Sequence, residues 1–172
     1  SLDKILTMNK KRLVVAFSGP SNSGKTTAIV KVASILQDNK FKVCIIKHDP
    51  KDKAMFDREG KDSFKFSQTG ADVAVVSPNK TTIFKKDSST IDELISIFDD
   101  FDYLLVEGLK TLELPRISIF RNKLDDSYFE LSNALAIDDT IDKKYVPKNL
   151  DILDLNNPLE IIEWIDKNAK RV

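Results

Sequence analysis

In the stretch GPSNSGKTT (19–27) two glycines bracket a short polar loop, and a lysine and two threonines follow the second glycine. Gly19 to Thr26 fits the pattern G-x-x-x-x-G-K-[ST]. The chemistry such a loop supports is anion binding. Glycines let backbone amides wrap closely around phosphate oxygens. A helix opening at Lys25 adds the positive end of its dipole. Lys25 supplies a positive charge for β- and γ-phosphates, and the Thr26 hydroxyl a ligand for magnesium. Gly19, Ser21, Asn22, Ser23, Gly24, Lys25, Thr26 and Thr27 are therefore the candidate nucleotide-binding residues.

A phosphate loop works with a carboxylate at the end of a neighbouring strand. Glu107, closing the apolar run in DYLLVEG, is the candidate, placed to face magnesium directly or through water. The segment KHDP puts Lys47, His48 and Asp49 at the end of another apolar run, the edge where open α/β sheets bind ligands. Lys25, Asp49 and Glu107 are the candidate catalytic residues. Thr26, Glu107 and Asp49 are the candidate metal ligands. His48 is the single histidine, which excludes a multi-histidine metal site.

Two further matches invite a guanine reading. NKLD (122–125) fits the N-K-x-D pattern that reads guanine, but only a short segment separates it from Glu107, with no room for a full helix. DREG (57–60) fits D-x-x-G without an apolar strand before it. Both are expected to be coincidences of short patterns. The loop after ALAI carries Asp138 and Asp139, which are expected to lie near the base.

The elements that must position these groups follow from periodicity. RLVVAFSG (12–19) is a β-branched apolar run and reads as a buried strand. In 25–40, Ile29, Val32, Ala33 and Leu36 form a helical stripe, and FKVCIIKHD (41–49) is again a buried strand. This is a βαβ unit, implying a parallel sheet. DSFKFSQTGA predicts a short helix with Asp62 or Ser63 as N-cap and Gly70 as terminator. ADVAVVSP and TTIFKK read as strands. TIDELISIFDDF (90–101) is a helix with a Thr90–Glu93 capping box. YLLVEG, RISIF and ALAI are strands. NPLEIIEWIDKNAK (157–170) is a closing helix capped by Asn157, with Pro158 in its first turn and Trp164 in the core. The predicted fold class is α/β, a phosphate-loop NTPase with a mostly parallel central sheet in three αβα layers.

The bulk numbers bound the partners. The 172 residues are 41% hydrophobic and 31% charged, with zero formal net charge. The balance argues against a strongly basic nucleic-acid binder while leaving room for a local basic patch, and no apolar run reaches the roughly 18 residues of a membrane span. The lone cysteine, Cys44, lies in an apolar run; core packing and a reducing cytoplasm are expected. One nucleotide-binding domain over 8–172 is expected, with Met8 as the natural start and 1–7 an extension.

FSGPSNSGKTT, KHDP, GKDSFKFSQTGAD, VEGLK and LPRISIFR occur in that order. Together they resemble the family of molybdopterin-guanine dinucleotide biosynthesis protein B, MobB, from about Leu13 to Ile165. The resemblance implies a GTP-binding protein with weak magnesium-dependent GTPase activity. It also implies a homodimer that accompanies a MobA-type guanylyltransferase attaching GMP to molybdopterin. Gly19, Ser23, Gly24, Lys25, Thr26 and Thr27 match the phosphate loop, and Glu107 and Gly108 the acidic strand end. Gly60, Lys61, Asp62 and Ser63 match GKDS; Lys110, Pro115 and Arg121 match positions after VEG. Many members carry extra histidines where this chain has Pro50 and Lys51, which weakens any histidine-based metal role. The other reading the loop allows is a small-molecule kinase with Asp49 as base. No compact arginine-rich segment supports the lid such a kinase needs, and the same lack predicts slow hydrolysis.

Overall fold

A computed structural model describes residues 10–172. The expected start at Met8 and the extension 1–7 lie outside the described residues. The chain divides into two compact units, one built from residues up to His48 together with Asp100–Val172, the other from Asp49–Asp99.

The first unit carries the main sheet. Its strands are β1 (Leu13–Ser18), β2 (Val43–Lys47), β5 (Tyr103–Glu107), β6 (Arg116–Phe120), β7 (Ala134–Ile137), β8 (Asp151–Asp154) and the short β9 (Lys170–Arg171). The order is β2-β5-β1-β6-β7-β8, all parallel, with β9 antiparallel to the start of β1. The predicted mostly parallel sheet is observed. β1 and β2 are not neighbours, because β5 lies between them. The chain therefore reverses its direction of travel across the sheet at β1, which is where open α/β sheets bind ligands.

Buried strands show both faces to apolar layers, so β1 reads as one continuous apolar run. Leu13, Val15 and Phe17 pack with Ile117 and Ile119 against helix α1 (Lys25–Asp38) and helix α4 (Pro158–Asn168). Ala28, Ile29, Val32 and Leu36 are the buried stripe of α1. Ile161, Trp164 and Ile165 are that of α4, and the Trp164 indole donates to Asp151 at 2.8 Å. The Asn157 side chain accepts from the Glu160 amide and Pro158 opens α4, as its sequence predicts. On the opposite face, Phe120, Leu135 and Ile137 pack with Tyr128, Ile141, Val146 and Leu150. These last come from 3₁₀ turns at Asp126–Tyr128 and Lys143–Tyr145 and their flanking loops. β2 differs from the buried strand its composition predicts. It is an edge strand, with Cys44 and Ile46 buried and Ile45 exposed. Burial pushes the Cys44 thiol up, as befits a core residue.

The second unit holds helix α2 (Asp62–Gln68), the antiparallel hairpin β3 (Val73–Ser77) and β4 (Lys80–Phe84), and helix α3 (Ile91–Phe98). The hairpin strands pair only with each other. Lys61, not Asp62 or Ser63, stands at the N-cap of α2, and no side chain caps it. Asp62 is drawn into the first turn, where its carboxylate suits the dipole. Gly70 follows the helix at φ +89° as expected. Thr90 caps α3 by accepting from the Glu93 amide at 3.2 Å.

Candidate functional site

β1 ends at Ser18 and α1 begins at Lys25, so the six intervening residues form the phosphate loop between the sheet's centre and a helix N-terminus. Gly19 has φ +150°, and a Cβ there would lie 2.6 Å from the Ile119 carbonyl oxygen. Gly24, at φ +91°, stands at the N-cap of α1 with no side-chain cap. The first amides of α1 therefore have no helical or side-chain acceptor of their own and face the loop's concavity.

Lys25 reaches across this concavity. Its ammonium donates to the Gly19 carbonyl at 3.1 Å and to Glu107 Oε1 at 2.8 Å. Lys47, from the end of β2, donates to Glu107 Oε2 at 3.2 Å. Glu107 is brought here because β5 pairs with β1 on one side and β2 on the other, with Phe17 and Lys47 both in register with it. Burial alone raises the Glu107 carboxyl. The hydrogen bonds and charges of Lys25, then Lys47, outweigh that and hold it below the usual carboxylate range. A pocket of about 460 Å³ is lined by Ser21, Asn22, Thr26 and Thr27 together with Lys25, Lys47 and Glu107.

The other sequence-predicted residues fall in distinct places. Ser23 is buried, and its hydroxyl has no hydrogen-bond partner among the described residues. The exposed His48 amide donates to the Glu107 carbonyl. Asp49 opens the second unit, and its carboxylate accepts from the Ala54 amide at 2.7 Å, closing a turn. DREG lies in the second unit before α2, with Asp57 accepting from the Arg58 amide. Gly60 to Ser63 form the entry to α2. Lys110 donates to the Tyr128 hydroxyl and lies over its ring. Asp138 is engaged by Thr140. Among the described residues no cluster of three or more His, Cys, Asp or Glu side chains could hold a metal ion.

Arg116 was not legible as part of this site, and Lys47 and Arg121 were named only by position, without their partners. Lys47 joins the site only through the pairing of β2 with β5. Arg116, fully buried, donates to Ser18 Oγ and the Gly108 carbonyl at 2.7 Å each, and to the carbonyls of Leu109 and Leu112. It thereby ties the turn after Glu107 to the end of β1. Burial lowers its pKa. Arg121 follows β6 and donates to the Asn22 carbonyl of the phosphate loop at 3.2 Å. A Cβ on Gly24 would meet its guanidinium at 3.3 Å. NKLD comes directly after it and lines a neighbouring cleft. Arg121 thus brings one guanidinium to the loop, from a segment with no second arginine beside it.

The family profile described as "Molybdopterin guanine dinucleotide synthesis protein B" matches residues 14–139, from β1 past the end of β7. This chain belongs to the MobB family. A Haemophilus influenzae relative named molybdopterin-guanine dinucleotide biosynthesis adapter protein is 26% identical over 170 residues, covering 95% of this chain and 93% of its own. A Methanocaldococcus jannaschii relative assigned the same adapter name is 30% identical over 132 residues, 73% of this chain. The match spans about half, 55%, of that relative's length. The crystal structure of Bacillus subtilis MobB superposes with a TM-score of 0.74 at 21% identity, covering 91% of this chain and 98% of that one. The fold is thus that of MobB phosphate-loop α/β proteins, and the matched span contains Lys25, Glu107 and Arg121.

Proposed function

We propose that this MobB-family chain binds GTP with magnesium and serves as an adapter in molybdenum cofactor biosynthesis, beside a MobA-type guanylyltransferase that joins GMP to molybdopterin. The observation that carries this reading is Lys25, held between the Gly19 carbonyl and Glu107 over the uncapped start of α1. The residues fit a magnesium triphosphate. Free helix amides, Lys25 and Lys47 present positive charge to the phosphates. Thr26 and Glu107 are the oxygen ligands suited to magnesium. Bound magnesium would supply charge neutralisation between β- and γ-phosphates. The chain's own part is to release Lys25 from Glu107 onto phosphate oxygens and to keep the turn after Glu107 fixed through Arg116. Asp49 closes a turn, and with no compact arginine-rich segment in the sequence the reading is of slow hydrolysis.

The adapter role and the partner enzyme come from the relatives' names and the family resemblance. A homodimer in the cytoplasm completes the reading. It is supported by the apolar face of the hairpin, where Ala74, Val76 and Ile83 share one exposed side. No helix among the described residues is long and apolar enough to cross a membrane.

Calorimetric titration of magnesium GTP into the wild type and Lys25→Ala tests the site. The wild type binds, and the variant weakens binding at least about 100-fold, the loss of a charge-assisted contact to phosphate. Equal binding by both overturns the phosphate-loop reading. A turnover of roughly 1–100 s⁻¹, the range of kinases, overturns the slow-hydrolysis reading. Adding the two proteins to a guanylyltransferase assay with molybdopterin checks the adapter role, and sedimentation checks the dimer.

A further inference from the structure

Glu107 is fixed through its backbone and shared through its side chain. Its carbonyl accepts from the His48 amide at 3.0 Å, and the Gly108 amide donates to the Phe17 carbonyl at 2.9 Å. A Cβ on Gly108 would lie 3.1 Å from His48 Cβ, so the turn is packed against the end of β2. Arg116 holds the Gly108 carbonyl at 2.7 Å. The carboxylate itself is divided between two lysines. Oε1 takes Lys25 at 2.8 Å and Oε2 takes Lys47 at 3.2 Å. The backbone of Glu107 cannot follow a departing lysine. A ligand that draws one away does so by an exchange of side-chain partners.

The two lysines are not equivalent. The Lys25 side chain is 20% exposed and that of Lys47 75% exposed. An exposed ion pair is worth little, and a lysine ammonium rides on a long, flexible stem. A phosphate oxygen offers Lys47 a charge-assisted hydrogen bond, in a pocket that Lys47 itself lines. Its place in the sheet decides which phosphate. In a phosphate loop the amides cradle the α- and β-phosphates and the lysine reaches the β- and γ-phosphates. β5 lies between β1 and β2, so Lys47 stands one strand further from the loop than Glu107. It also takes the carboxylate oxygen that Lys25 does not use. Arg121, after β6, lines the same pocket from the opposite side. The end of the phosphate chain beyond Lys25 therefore faces Lys47.

We propose that Lys47 reads the terminal phosphate, leaving Glu107 for the γ-phosphate of a triphosphate and staying on Glu107 when a diphosphate is bound. The inference rests on the phosphate loop as a nucleotide site and adds the residue that tells the two nucleotide states apart. The charges balance in each state. In the ligand-free protein two ammoniums share one carboxylate. With a triphosphate both ammoniums neutralise phosphate oxygens, and Glu107 is freed to face magnesium. With a diphosphate Lys25 alone is drawn off, and Lys47 keeps its pairing with Glu107 Oε2.

Calorimetry on the full chain with magnesium decides the matter. Wild type, Lys47→Met, Glu107→Gln, the double variant of these two and Lys25→Ala are each titrated with GTP and GDP. Lys47→Met is expected to weaken GTP about 10- to 100-fold, the loss of a charge-assisted hydrogen bond, and to leave GDP nearly unchanged. Binding of GDP thereby also reports that the variant is folded. The same drop in preference for GTP over GDP is expected when Lys47→Met is added to Glu107→Gln, where the carboxylate that holds Lys47 is gone. Equal weakening of the two nucleotides by Lys47→Met, or weakening of neither, overturns the proposal. A drop in preference that vanishes in the Glu107→Gln background overturns it too, because Lys47 then acts only by positioning Glu107. Unweakened binding of both nucleotides by Lys25→Ala removes the phosphate site instead.

Discussion

Arg116 is the only fully buried charged side chain among the described residues, and no carboxylate pairs with it. Four oxygen acceptors share its two terminal nitrogens, so the planar fork matters as much as the charge. Lysine offers one ammonium at one point and leaves carbonyls of the 108–112 turn unpaired. Arg116→Lys should cost about 2–4 kcal/mol in urea unfolding, since each buried group left unsatisfied costs about 1–3 kcal/mol. Glu107 makes the complementary prediction. Folding holds its carboxyl below the ordinary value, so the folded state binds fewer protons than the unfolded chain as pH falls. Its contribution is complete above the usual carboxylate range and is lost as pH drops through the lowered value. Glu107→Gln should flatten the acid side of the stability profile, measured by denaturant midpoints from neutral pH downward. An unchanged slope would place the acid sensitivity elsewhere.

At the scale of elements, local pattern and strand pairing carried different information. Glycine spacing, the apolar run before it and the stripe of α1 are all local, so β1, the loop and α1 were readable in the residues. The same holds for α3 and α4, whose caps Thr90 and Asn157 sit beside the groups they bond. Strand adjacency is not local. Nothing in KHDP says that Lys47 meets Glu107, and nothing in RISIFR says that β6 lies against β1. Those pairings turned Lys47, Arg116 and Arg121 into site residues. β8 was missed because DILD is short and half polar, and α2 lacks the side-chain cap its acidic start advertises. The loop–strand junction tests this dependence. Gly19→Ala places a Cβ 2.6 Å from the Ile119 carbonyl at a positive φ. It should destabilise by at least about 2 kcal/mol and weaken GTP binding, read together by thermal melting and titration. A Gly19→Ala protein of wild-type stability would mean that β6 moves freely against the loop.

For the whole molecule, the division into two units predicts where a nucleotide is felt. The phosphate pocket and the neighbouring cleft are lined by first-unit residues, from the loop after β1 and the start of α1, the last residues of β2 and β5, and the loops after β6 and β7. The hairpin β3–β4 contributes no residue to either and forms its own sheet. A ligand that binds only the folded state stabilises by RT ln(1 + [L]/Kd), about 2.7 kcal/mol at a hundredfold excess over Kd. Hydrogen exchange with magnesium GTP should therefore slow at 19–27, 104–108 and 121–125, where amides face the ligand or the strands that hold it. Exchange in 73–84 should change far less. Lys25→Ala should abolish the protection without altering the ligand-free pattern, because the polar partners of its ammonium among the described residues are the Gly19 carbonyl and Glu107. Protection spread equally over the hairpin would show that nucleotide binding couples to the second unit. In that case the hairpin's exposed apolar face would be under nucleotide control, and the proposed dimer should strengthen or weaken with GTP in sedimentation.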